Sequence, residues 1–152
     1  MTPVSFWVPG TPVPQGSKRA FVNKATGRPV ITDADVRLPE WRMKITAHAL
    51  TAIQHHTRAL DYPLDGPVGC RIDFILQRPS SHYGTGRNHD TLKPSSPKYP
   101  ARMPDLDKLL RAVFDGITDA QVWRDDGQVV WVQTTKTYGS KPGVTITLGA
   151  MK

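Results

Sequence analysis

Residues 103–128 read MPDLDKLLRAVFDGITDAQVWRDDGQ, and their spacing organises the rest of the chain. Leu106, Leu109, Leu110, Val113, Phe114 and Ile117 recur at three- and four-residue intervals, the stripe of a helix with one buried face. Pro104 favours a helix start close by, and Gly116 reads as the C-cap. Ile117 to Arg124 then reads as a turn and an extended return, with Val122 and Trp123 buried. Two acids, Asp105 and Asp107, stand at one margin of this unit, and Asp125 and Asp126 stand at the other.

Downstream, Val129 to Thr137 alternates as a strand, and Val144 to Leu148 forms a last one. The turn at Gly139 to Gly143 between them predicts a C-terminal hairpin. Upstream, the pattern dissolves. Arg78 to Arg102 is rich in Ser, Pro, Gly and basic residues, and a loop that long in a small domain is functional or mobile. It predicts a flexible basic loop over residues 78–103. Before it, Val68 to Leu76 alternates as a strand inside the sheet, and Cys70 within it reads as a buried thiol. Leu38 to His56 carries Trp41, Ile45, Leu50 and Ile53 at helical spacing. Val4 to Val8 reads as a first strand, and the basic segment around Gly16 to Arg28 as a loose hairpin returning through Val30 to Thr32. This order predicts a single domain over residues 1–152, α/β or α+β, with a mixed β-sheet and two main helices packed on it.

The chain of 152 residues has 38% hydrophobic and 22% charged residues and a formal net charge of +7. A basic excess of this size favours a polyanionic partner, with nucleic acid ahead of a membrane surface. No apolar run approaches bilayer length, so a soluble cytoplasmic protein is expected. Lys and Arg neutralise phosphates and release condensed counterions. Lys18, Arg19, Lys24 and Arg28 in the hairpin, Arg87, Lys93, Lys98 and Arg102 in the loop, and Lys108 are the candidate DNA contacts.

A basic protein that gathers carboxylates needs a reason. Asp105 at an N-cap and Asp107 in the first turn have a structural alternative, a cap and a charge favoured by the helix dipole. Asp125 and Asp126 shift the balance, because a segment that doubles back can bring Asp126 to the helix start. Three carboxylates make a hard oxygen site with positions open to water and phosphate, which suits Mg²⁺. Arg111, one turn after Asp107, either pairs with it or holds a phosphate. Asp115 extends the same row, as a solvated acid or a partner of Arg111.

At these residues the chain resembles a known family. PDLDKLLR, then FDGI, then VWRDDGQV, together with the opening VPGTPVPQGSKR, is similar to the signature of RusA-like crossover junction endodeoxyribonucleases, the phage-type Holliday junction resolvases. The resemblance implies that Asp105, Asp107 and Asp126 are the three metal-binding catalytic acids, with Asp125 secondary. It implies Mg²⁺ as cofactor, with Mn²⁺ able to substitute, branched DNA as substrate, a homodimer, and paired symmetric nicks in recombination and repair. Arg111 stands where the family typically has a catalytic lysine, and Lys108 where asparagine is usual. Arg111 suits phosphate stabilisation better than proton transfer. A nuclease less selective for branched DNA and a non-catalytic nucleic-acid-binding module are the other readings that the residues allow.

Overall fold

Val68, Cys70, Ile72, Phe74 and Leu76 alternate with Gly69, Arg71, Asp73 and Ile75, and the first set is buried throughout in the computed structural model. The structure describes residues 3–16, 19–32, 35–56 and 61–152, without the side chains of Arg19, Ile31 and Thr32. The strand carrying that alternation, β4 (Val68–Leu76), has neighbours on both edges. It runs parallel to β5 (Val129–Tyr138) and antiparallel to β6 (Gly143–Ala150). The first strand, β1 (Val4–Pro9), closes the far side on β6, giving the order β1-β6-β4-β5. A shorter pair, β2 (Arg19–Val22) and β3 (Pro29–Thr32), forms a separate antiparallel hairpin.

The expected C-terminal hairpin does not form. β4 lies between β5 and β6, which are neighbours in sequence only. The cause is apolar content. β4 and β6 bury a full alternate row of side chains, whereas β5 presents Thr134 and Lys136 on the corresponding face and takes the edge. The turn after β5 therefore crosses the end of β4, with Gly139 N–H donating to the Leu76 carbonyl at 3.1 Å. A Cβ on Gly139 would lie 2.6 Å from Ile75 Cγ2, so the crossing requires glycine.

Two helices cover one face: α1 (Leu38–Gln54) and α2 (Leu106–Asp119). Leu109, Ala112, Val113, Gly116 and Ile117 of α2 are buried, meeting Trp41, Ile45 and Ala49 of α1 in the core. Because β4 and β5 are parallel, the chain needs a crossover, and α2 supplies it.

Gly116 does not end α2; the helix runs on to Asp119. The helix stops in a Schellman arrangement: Gln121 N–H donates to Thr118 and Val122 N–H to Ile117. The left-handed residue is Gln121, at φ 55°, where glycine is the usual occupant. Gly116 instead marks the crossing of the helices. A Cβ there would fall 2.7 Å from Ile45 Cγ2, and Thr46 Oγ1 donates to the Gly116 carbonyl at 2.9 Å. Past the cap, Val122 and Trp123 return as expected; both are fully buried, and Trp123 Nε1 donates to Thr118 Oγ1 at 2.7 Å.

Cys70 is buried, and burial pushes its thiol up to about 11. Among the described residues no helix is long and apolar enough to cross a membrane.

Candidate active site

Asp105 is the N-cap of α2, with extended backbone (φ −70°, ψ 138°), but its carboxylate makes no capping hydrogen bond. An N-cap aspartate ordinarily accepts from the N–H groups of the first turn. Here the carboxylate pairs with Lys108 Nζ at 3.2 Å. Asp107 sits in the first turn, exposed, as does Arg111 a turn later. The alternative of an Asp107–Arg111 ion pair is not realised; among the described residues neither has a carboxylate or cation partner within 4 Å. Both acids stand at the positive end of the helix dipole, which favours anions.

The second acid pair divides its work. Asp125 caps a 3-10 turn over Asp126–Gln128, accepting from Gly127 N–H at 2.7 Å. Gln128 completes a reciprocal box. Its Oε1 accepts from the Arg124 and Asp125 N–H groups, while its Nε2 donates to the Leu64 and Gly66 carbonyls, each at 2.9 Å. Asp125 is thereby occupied structurally, while Asp126 is exposed and its carboxylate carries no hydrogen bond among the described residues. Its charge is felt at Asp115. Burial raises the Asp115 carboxyl, Arg42 lowers it, Asp126 raises it further, and a hydrogen bond from Gln15 lowers it. Gln15 N–H also donates to the Lys108 carbonyl at 3.0 Å, so the N-terminal segment runs along the acidic side of α2.

Lys136 was not singled out by its position in the sequence. It projects from β5, and its ammonium donates to the carbonyls of Arg102 at 2.7 Å and Pro104 at 2.9 Å. It ties the segment leading into Asp105 to the sheet. The signal was a charged residue in an alternating strand, opposite the buried Phe74.

The residues 78–103 carry structure of their own. Short 3-10 turns span Ser80–His82 and Gly86–Asn88, and Tyr83 bridges Leu92. Lys93 N–H and Ser96 Oγ both donate to the His82 carbonyl. Arg78 lies 4.4 Å above the Tyr138 ring and donates to the Pro97 carbonyl at 2.7 Å. His82 packs edge-on to the same ring. Burial holds its imidazole below the usual range, and the positive charges of Arg78, Arg102 and Lys93 press it lower. Of the candidate DNA contacts, Arg87, Lys93, Lys98 and Arg102 are exposed on this loop, and Lys24 and Arg28 at the hairpin turn. Lys108 is committed to Asp105. Lys18 lies outside the described residues, as does the side chain of Arg19.

The donor chemistry fits a hard divalent cation: four carboxylates around one helix and its return, two at the helix start with no capping bond. Among the described residues no three of His, Cys, Asp and Glu are gathered closely enough to hold an ion as they stand. Like charges keep carboxylates apart unless a cation lies between them.

A comparison with known protein families matches residues 9–149 to the model described as Endodeoxyribonuclease RusA. The chain is also 24% identical over 143 residues to an uncharacterized protein, YqaN, of Bacillus subtilis (strain 168), covering 94% of this chain and 93% of that protein. With all but eight N-terminal and three C-terminal residues inside the family match, the chain belongs to the RusA family of endodeoxyribonucleases, crossover-junction nucleases that hydrolyse phosphodiester bonds in DNA.

Proposed function

We propose that this protein is a Mg²⁺-dependent homodimer, with Mn²⁺ able to substitute, that resolves Holliday junctions by paired symmetric hydrolysis in DNA recombination and repair. Asp105 carries the reading. It is an N-cap residue whose carboxylate leaves the helix N–H groups uncapped, and it shares the helix start with Asp107. A carboxylate left out of its own helix's cap is open to a cation. Asp105, Asp107 and Asp126 are the residues that would hold the cation, with Asp125 secondary because it caps a turn. A bound divalent cation supplies the charge that polarises the phosphodiester and steadies the leaving oxygen. Water adds to phosphorus, the phosphorus–oxygen bond to one nucleoside breaks, and each nick leaves a phosphate and a hydroxyl.

The protein's own side chains do the rest. The Arg111 guanidinium, without an ion-pair partner among the described residues, steadies charge developing on the phosphate. Lys108 offsets the repulsion between the first two acids. Lys24, Arg28, Arg87, Lys93, Lys98 and Arg102, with Lys18 and Arg19, hold the DNA backbone.

Two sites in one dimer account for two symmetric cuts. The edge strand β5 exposes Val130, Trp131 and Val132 in succession, on a strand paired on one side only. Such an edge is a template for another strand, and an antiparallel pairing with its own copy is self-complementary about a two-fold axis.

The deciding experiment is cleavage of a synthetic four-way junction with Mg²⁺. The wild type nicks opposite strands in pairs, and linear duplex of the same sequence is spared. Asp107→Asn keeps junction binding and loses cleavage. A wild type that binds junctions and never cuts them with Mg²⁺ or Mn²⁺ rejects the metal-dependent resolvase, and full activity in Asp107→Asn rejects the site.

A further inference from the structure

The parallel strands β4 and β5 end at Leu76 and Tyr138, and both residues line a cleft of about 470 Å³. In sheets with parallel strands, ligands sit beyond the carboxyl ends, where crossover helices begin. Both long helices start at this rim. Arg37, the N-cap of α1, and Pro104, next to the N-cap of α2, are cleft residues. The start of α1 is occupied by the Asp35 carboxylate, which accepts from the Arg37 N–H at 2.9 Å, and the start of α2 leaves its positive end beside the opening.

The walls are of a different character from the rim. Pro12, Pro79, Pro100 and Pro104 present rings, with Met103 and Tyr138 among them. Tyr138 is fixed in place, with the Arg78 guanidinium over its ring and His82 at its edge. A side chain locked before binding loses little entropy on contact. The rim offers positive charge through Arg102, which is exposed with no carboxylate partner among the described residues, whereas the charge of Arg37 is offset by Asp35, also a cleft residue, through bonds of 3.1 and 2.8 Å.

The cleft wall leads by the chain itself into the acid pair. Pro104 is wall and Asp105 is the next residue, so a phosphate held at the start of α2 carries its own nucleotide past the cleft mouth. Flat apolar walls beside a cationic rim suit a base on the inside and its phosphate on the outside, the pattern of single-stranded nucleic-acid recognition.

We propose that this cleft receives the unstacked nucleobase adjoining the scissile phosphate, a proposal that rests on the nuclease site argued above. Recognition of a branch point then includes a base lifted from its stack, which intact duplex yields at greater cost.

The experiment places a photoreactive thymine analogue on either side of the scissile phosphate of a four-way junction and illuminates it with the full-length Asp107→Asn protein. The crosslink is expected in the peptides carrying Met103 or Tyr138, from one of the two flanking positions. In parallel, an abasic nucleotide at that position lowers wild-type kcat/KM roughly five- to a hundredfold, while the same lesion on the other side changes it far less. Crosslinks confined to other peptides, or cleavage within twofold of the intact junction, overturn the proposal. A wild type that cuts no junction instead overturns the nuclease reading, and the crosslinks on bound branched DNA still report on the cleft.

Discussion

Lys136→Met removes one ammonium and keeps most of the stem. The lost contacts are two hydrogen bonds, to the Arg102 carbonyl at 2.7 Å and the Pro104 carbonyl at 2.9 Å. A bond from a charged donor is worth about 1.5–3 kcal/mol when the acceptor has no substitute partner. The contact with Arg102 is exposed, so water replaces it at little cost, whereas that with Pro104 is part-buried. The expected loss is therefore about 2 kcal/mol, dominated by the Pro104 carbonyl. For a chain of this size, about 2–4 °C per kcal/mol, Tm falls by roughly 4–8 °C. The larger effect is on the site. Releasing the Arg102–Pro104 segment from β5 frees the position of Asp105, a ligand in the proposed site, and losing a residue that orients a ligand typically costs ~10–100-fold in metal affinity or activity. Thermal unfolding, Mg²⁺ titration and junction cleavage read these separately. Lys136→Arg, which keeps charge and donors, recovers part of the Mg²⁺ affinity even where Tm stays low. Wild-type Tm together with wild-type cleavage in Lys136→Met would refute the reasoning.

Four further outcomes are expected. Gln121→Gly raises stability by roughly 0.5–1 kcal/mol, because it relieves a left-handed residue at the cost of a floppier unfolded chain. Gly116→Val lowers it by about 2–3 kcal/mol, since its Cβ alone would sit 2.7 Å from Ile45 Cγ2; urea melts measure both, and reversed signs would return the helix end to Gly116. Stability falls as pH rises from about 9 toward about 11, because the unfolded Cys70 thiol releases its proton first and the buried one is held back. The contribution is about 1–2 kcal/mol, and a Cys70→Ala protein with an unchanged slope in that window counts against it. Trp131→Glu, on the exposed edge of β5, converts the proposed dimer to monomer in sedimentation with the fold intact by circular dichroism; a persisting dimer moves the interface elsewhere, and a monomeric wild type rejects the dimer.

Much of this molecule is local. The β4 strand, both long helices, the buried return at Val122 and Trp123, and the acids at the start of α2 were legible, because each leaves a period of two or near 3.6 in its own neighbourhood. What tertiary structure decided has no local period. β5 and β6 look like a hairpin until β4, more than fifty residues upstream, competes for both and takes the centre by burying more. Gly116 looks like a helix end until α1 comes within contact of it, and the helix instead stops after Asp119, where the N–H groups of Gln121 and Val122 bond back to the Thr118 and Ile117 carbonyls and Gln121 takes a glycine conformation. Lys136 reads as one polar residue of an alternating strand, and only the passage of Arg102 and Pro104 above it gives its ammonium an anchor. The carboxylates follow the same division. The sequence alone determined that acids flank a core helix, whereas packing determined that Asp125 caps a turn, that Asp105 leaves its own helix uncapped, and that the charge of Asp126 reaches Asp115. The physical reason is that a side chain's role depends on which partner reaches it first, and partners distant in the chain leave no mark in the spacing.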